Sequence, residues 1–233
     1  MAGHNKWSKI KRGKAVEDAK RGAVFTKLGN QIALAARNGS DPDMNPSLAL
    51  AIEKAKKANM PKNNIERSIA RVSDKNAAQL QEVMYEGYGP GGVAIIVECA
   101  TDNLNRTYPE VRTVFSKRGG NIAEKGAVAF QFDRKGVIRV KATGEEAMLT
   151  VIDAGAEDAY EDDGEMTVIT DPKQLAQVRD GIKDAGLEVI DAELSYEPNM
   201  TVDLDDDQQQ KVVNLLEDLE DLDDVVNTYT NLA

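Results

Sequence analysis

The apolar residues of this chain change period once, near Met84, and that switch bounds the fold more tightly than any single motif. Before it, apolar side chains recur every three or four residues, the spacing that gives an α-helix one face to bury. After it, short runs rich in Val and Ile alternate with helical stretches, the order that builds sheets covered by helices. Both patterns in one chain predict an α+β protein with its helices first.

In the first part, Phe25, Leu28, Ile32 and Ala35 or Ala36 predict a helix over 16–37. Gly22 and Gly29 weaken it, because each costs helix stability unless close packing or a bend uses the missing side chain. RNGSDPDMNP predicts a turn. A second helix starts with Pro46 in its first turn and directs Leu48, Ile52 and Ala55 inward, until Asn59-Met60-Pro61 interrupts it. Asn63 or Asn64 then caps a third helix carrying Ile65, Ile69 and Val72. Short helices bury their stripes only against one another or a neighbour, which predicts a three-helix bundle.

In the second part, YEGYGPGG reads as a glycine-rich turn ahead of the strand VAIIVEC. TDNLNRTYPEVRTVFSKRGG gives a loop and a helix with Val111, Val114 and Phe115 inward, and NIAEKGAVAFQFD a further strand region. GVIRV opens a new cycle: a helix near 145–154, a short strand near Ala159, EMTVIT, a helix in PKQLAQVRDGIKDAG, and LEVIDAELSY make a βαββαβ pattern over 135–200. TVDL then reads as strand, QQQKVVNLLEDLEDL as helix and DVVNTYT as the last strand. The expected division is a helical domain at 1–76, a split α/β domain at 77–133 and 201–233, and an inserted α/β domain at 134–200, both α/β domains ferredoxin-like.

Charge follows the same division. Residues 1–75 hold sixteen Lys and Arg against seven Asp and Glu, whereas 76–233 carry a net −20, so the formal −11 of the whole chain hides a basic front on an acidic body. An acidic body repels polyanions generally, while a basic module still attracts phosphate locally and orients the approach. No apolar run nears the roughly 20 residues that cross a bilayer, and the first residues lack a signal peptide's apolar core, so the expected location is cytoplasmic.

Catalytic chemistry finds few candidates. The sole cysteine, Cys99, lies within an apolar strand and reads as a core thiol; His4 reads as an exposed tail residue or a phosphate contact. The two cannot assemble a zinc site. YGPGG lacks a Walker lysine and precedes a strand, so it matches neither phosphate-loop nor dinucleotide fingerprints; its glycines form a structural turn or allow close approach of a partner. Asp102 or Asn105 can satisfy N–H groups at the start of the following helix, and Arg106 either braces that turn through a carboxylate or binds phosphate. The terminal acids, Asp203 to Asp207 and those around 215–224, form a solvated face or attract Mg2+, with no constrained oxygen-rich loop visible. No enzyme and no cofactor are expected.

The N-terminal run carries the strongest signal. Lys6, Lys9, Lys11, Arg12, Lys14, Lys20, Arg21 and Lys27 stand among only two acids through position 27. Trp7 offers a stacking surface or packs against the bundle, and Lys54, Lys56 and Lys57 add cations on a wet helix face that contacts phosphate or merely solvates. The run alone does not separate DNA from RNA.

Several ordered motifs, MAGHNKW, DAKRG with FTKL, AAR with DPDMNP, KAKKANMPKNNIERSI, YEGYGPGGVAI, TDNLNRT with EVR, FSKRGGN and LEDLDDVVNTYTN, resemble the bacterial YebC/PmpR family, related to mitochondrial translational activators, over essentially the whole length. The resemblance implies three domains and a non-enzymatic role in gene expression. It implies DNA-binding transcriptional regulation or, as the alternative, a ribosome-associated translation factor engaging rRNA or tRNA. A protein-interaction module, with a partner on the acidic α/β domains, is the third reading. Lys6, Trp7, Lys14, Lys20, Arg21, Lys27, Asn105 and Arg106 match the family's pattern. Asn5 stands where many relatives have serine, and Ala23 replaces a common lysine, removing one phosphate contact.

Overall fold

The computed structural model describes Trp7, residues 21–73 and residues 80–233. The chain divides into two compact units, one of residues up to Phe132 together with Pro198–Ala233, the other Asp133–Glu197.

From Arg21 on, the first unit contains α1 (Arg21–Ala36), α2 (Pro46–Lys57) and α3 (Lys62–Ala70). Asn45 caps α2 by accepting the Leu48 N–H, and Pro46 follows in the first turn, where its missing N–H costs nothing. Neither Asn63 nor Asn64 caps α3: Pro61 (φ −58°) presets the backbone, so the helix begins at Lys62 and takes both asparagines inside. Leu28, Ile32, Ala36, Leu48, Ala55, Met60 and Ile65 form the bundle core. Each large aliphatic side chain buried there stabilises by about 1.5–3 kcal/mol. Val72, expected inward, is 40% exposed, because α3 gives way to a 3-10 turn at Arg71–Ser73 that carries it off the buried stripe. A β-carbon on Gly29 would lie 2.9 Å from Ser68 Oγ, so the missing side chain lets α1 and α3 approach.

In chain order follow β1 (Gln81–Tyr88), β2 (Ala94–Thr101), α4 (Leu104–Lys117), β3 (Asn121–Ala123), β4 (Phe132–Val140), α5 (Glu145–Asp153), β5 (Asp158–Asp162), β6 (Glu165–Thr170), α6 (Leu175–Asp184), β7 (Val189–Pro198), α7 (Asp206–Glu220) and β8 (Val225–Thr230). The sheet of the first unit runs β3-β1-β2-β8 with antiparallel neighbours, its two central strands joined directly. Val93, Ile95, Val97 and Cys99 share a core with Val111 and Phe115 of α4 and with Val212, Leu215, Leu216 and Leu219 of α7.

Three expected elements differ. Tyr85–Tyr88 belong to β1, and the turn is confined to 89–92. Gly87 masked that strand in the sequence, yet its absent β-carbon would lie 2.7 Å from Asn121 O and from the Phe115 ring, where β3 and α4 close on β1. The strand region after Asn121 shortens to Asn121–Ala123, because the Glu86 carboxylate accepts the N–H groups of Gly126, Val128 and Ala129 and holds that segment as a loop. TVDL contributes only an isolated bridge from Val202 to Leu232, since Asp205 already caps α7.

The second unit follows the sequence pattern closely, its four strands ordered β5-β6-β4-β7, the ferredoxin-like arrangement of a βαββαβ chain. Asp163 (φ 51°) and Gly164 (φ 80°) close the β5–β6 hairpin in the left-handed conformations that a tight two-residue turn requires. Ile138, Val140, Val151, Met166, Val168 and Ile182 are buried in this unit.

Candidate nucleic-acid interface

Lys6, Lys9, Lys11, Arg12, Lys14 and Lys20, with His4, lie outside the described residues, and Arg21 is the first described residue of α1. Trp7 is 2% exposed and sits in the core between the first sheet and helices α4 and α7, its indole N–H donating to Thr228 Oγ1 at 2.9 Å. It packs into the core of the first unit's sheet. A ring so enclosed has no face for a nucleobase, which corrects the stacking role expected of it. Lys27 also points inward: its ammonium donates to the Glu220 carbonyl at the end of α7.

Lys54, Lys56 and Lys57 occupy the last turn of α2, where positive charge is favoured by the helix dipole. Lys57 pairs with Glu53 at 3.2 Å, and both Lys56 and Lys57 are exposed. Arg106 is tied to carboxylates, with Nη2 2.8 Å from Asp224 Oδ2 and 3.2 Å from Asp102 Oδ1. Asp224, 7% exposed, also accepts the hydroxyls of Thr101 and Thr107. Burial pushes its carboxyl up, but those hydroxyls and the Arg106 guanidinium outweigh burial and hold it below the usual range. The cap that starts α4 is neither Asp102 nor Asn105 but Asn103, which accepts the N–H groups of Asn105 and Arg106. Burial, with the Asp224 carboxylate nearby, pushes the Cys99 thiol up to about 12, consistent with a core thiol.

Sequence reasoning missed a groove of about 650 Å3 between α1 and α3. One wall is Phe25, Thr26 and Asn30, the other Asn64, Arg67 and Arg71. Arg67, in α3, and Arg71, the C-cap residue of that helix, stand four residues apart and both line the groove. The exposed Arg67 forms no ion pair with any described residue. Arg71 donates to Asn30 Oδ1 at 3.2 Å and lies 4.0 Å from Asp102. The spacing of the two arginines was visible in the sequence, but nothing there placed them opposite Phe25 and Asn30. Among the described residues, no group of three or more His, Cys, Asp or Glu is arranged to hold a metal ion, and no helix is long and apolar enough to cross a membrane.

Residues 5–75 match the sequence profile of the TACO1/YebC protein N-terminal domain, and residues 80–232 that of the TACO1/YebC second and third domain. A probable transcriptional regulatory protein of Persephonella marina is 50% identical over 99% of this chain and 95% of its own length. One of Finegoldia magna is 46% identical over 99% of this chain and 100% of its own. The crystal structure of a conserved hypothetical protein from Aquifex aeolicus superposes with a TM-score of 0.89 at 44% identity, covering 98% of this chain and 96% of that one.

Proposed function

Because the chain belongs to the TACO1/YebC family, we propose that it is a non-enzymatic, DNA-binding regulator of transcription whose basic N-terminal module meets the nucleic acid. The observation that carries this reading is the segregation of charge: sixteen Lys and Arg against seven Asp and Glu in residues 1–75, beside a net −20 in the remainder. Such a molecule approaches a polyanion with one end, since its acidic body is repelled. The name shared by its curated relatives, probable transcriptional regulatory protein, supports the same reading. Lys6, Lys9, Lys11, Arg12, Lys14, Lys20 and Arg21, joined by Lys54, Lys56 and Lys57, position the phosphate backbone.

A second reading is a translation factor on rRNA or tRNA. It is favoured by the groove between α1 and α3, whose volume of about 650 Å3 suits a single nucleotide better than a duplex. Binding to promoter DNA and to purified ribosomes at matched salt separates the two, with Lys14→Glu, Lys20→Glu and Arg21→Glu combined as the control for charge. Sequence-selective DNA binding without ribosome association supports the regulator. Selective ribosome binding beside only salt-labile, sequence-independent DNA affinity sinks it.

A further inference from the structure

We propose that the groove between α1 and α3 is a subsite for one unpaired nucleotide of a single strand, with its phosphate on Arg67 and Arg71 and its base against Phe25. This assignment rests on the nucleic-acid reading above and adds to it a place and a strand state.

Four observations converge on the groove. Its volume of about 650 Å3 lies within the range of sites that enclose small ligands. Its two arginines are not equivalent: Arg71 is oriented by Asn30 and lies near Asp102, whereas the exposed Arg67 forms no ion pair with a described residue. An oriented guanidinium beside an open one offers a forked donor set for the oxygens of a phosphodiester. Phe25 is only partly covered by the bundle core, which leaves part of its ring on the groove wall, where a base can stack. The amide of Asn30, a residue that is otherwise buried, uses its oxygen on Arg71, and its nitrogen donates to no described residue. That nitrogen supplies a polar donor on the same wall.

Gly22 allows the groove to be filled without touching either arginine. It borders the groove in the first helical turn described, and a β-carbon there would meet nothing within 4 Å. Packing therefore does not demand the glycine, unlike Gly29, and a larger side chain would fill the groove mouth without disturbing the core. A paired duplex presents its bases inside the stack, so only an unpaired nucleotide can bring both a phosphate and a base face into a recess of this size.

The test uses the full chain with fluorescent single-stranded RNA, single-stranded DNA of the same sequence, and the matching duplex. Gly22→Leu should leave the thermal midpoint unchanged or raised, since leucine is the better helix former, while affinity for single strands falls about tenfold and duplex affinity holds. Arg67→Gln should weaken single-strand binding similarly and reduce the steepness of its salt dependence by about 0.7. The RNA and DNA arms reveal which strand the groove prefers, and a loss in either supports the subsite. Equal losses for single strand and duplex, or wild-type affinity in both variants, overturn it. Wild-type binding to duplex alone also overturns the subsite while leaving the regulator reading intact, whereas no binding to any of the three removes the nucleic-acid reading itself.

Discussion

Replacing Glu86 with glutamine tests whether one buried carboxylate holds the loop that leads out of the first unit. Glu86 is 2% exposed, and its two oxygens accept three backbone N–H groups, from Gly126 at 2.6 Å, Val128 at 2.7 Å and Ala129 at 2.8 Å. Hydrogen bonds to a charged acceptor contribute about 1.5–3 kcal/mol each. Glu86→Gln keeps one acceptor oxygen and turns the other into a donor. If the oxygen stays with Val128 and Ala129, the Gly126 N–H faces another N–H and the two surviving bonds lose their charge assistance. The summed cost is about 3 kcal/mol, which is about a hundredfold faster hydrogen exchange at the Val128 amide where local opening controls exchange. The pH dependence has a definite sign. Burial pushes the Glu86 carboxyl up, but the three N–H groups and Lys125 outweigh burial, so its folded pKa lies below the ordinary glutamate value. Its contribution is therefore complete above the unfolded pKa and is lost as pH falls through the folded one. The gap in urea midpoint between the wild type and Glu86→Gln should be full at neutral pH and narrow below the ordinary glutamate range. Less than a fivefold change at Val128, or a gap that persists unchanged into acid, would refute the reasoning.

Gly87→Ala should cost about 2 kcal/mol in urea unfolding, because its β-carbon would overlap Asn121 O and the Phe115 ring, both 2.7 Å away, and neither backbone nor core ring yields freely. Cys99 should resist iodoacetamide in the native protein at neutral pH and react on denaturation, since its buried thiol is pushed up to about 12; rapid native labelling would contradict that burial. Trp7→Phe should lose about 1 kcal/mol of stability with its hydrogen bond to Thr228, while the salt dependence of nucleic-acid binding stays as in the wild type. A loss of affinity in a folded Trp7→Phe protein would restore the stacking role.

What the sequence made legible was periodicity. The inserted segment shows this best, since EMTVIT, the helix after Pro172 and LEVIDAELSY stand where their apolar patterns put them, and Asp163-Gly164 punctuates its hairpin. What stayed hidden depends on partners distant in the chain. The strand through Gly87 looks like a turn until Phe115 and Asn121 arrive to need the space. The Asn121–Phe132 segment looks like strand until Glu86 takes its N–H groups. The candidate site divides the same way: a run of cations is visible in the sequence, but whether a cation faces outward is decided by what stands across from it. Trp7 and Arg106 each found an acceptor more than a hundred residues away, in Thr228 and Asp224.

That sorting of cations also explains how a basic module stays attached to an acidic body. The last turn of α7 contains no basic residue, although Glu217, Asp218 and Glu220 place negative charge where the helix dipole is already negative. Lys27 supplies the missing positive charge from α1 by meeting the Glu220 carbonyl, and Arg118 does so from α4 by pairing with Asp218 at 2.6 Å. Arg37 reaches the Leu80 carbonyl at 3.1 Å just before β1, and Arg71 approaches Asp102. Lys27, Arg118 and Arg37 tie α1, α4 and the segment before β1 together within the same unit, so they are poorly placed to exchange a protein oxygen for a phosphate, whereas Arg71, 4.0 Å from Asp102, keeps donors for the groove. Lys62, paired with Glu66 at 3.6 Å in an exposed pair, gives up little in such an exchange. A salt dependence counts only the cations whose counterions are released on contact. Formal charge therefore overstates the polyanion-binding face, and the clamping cations instead fix which way that face points.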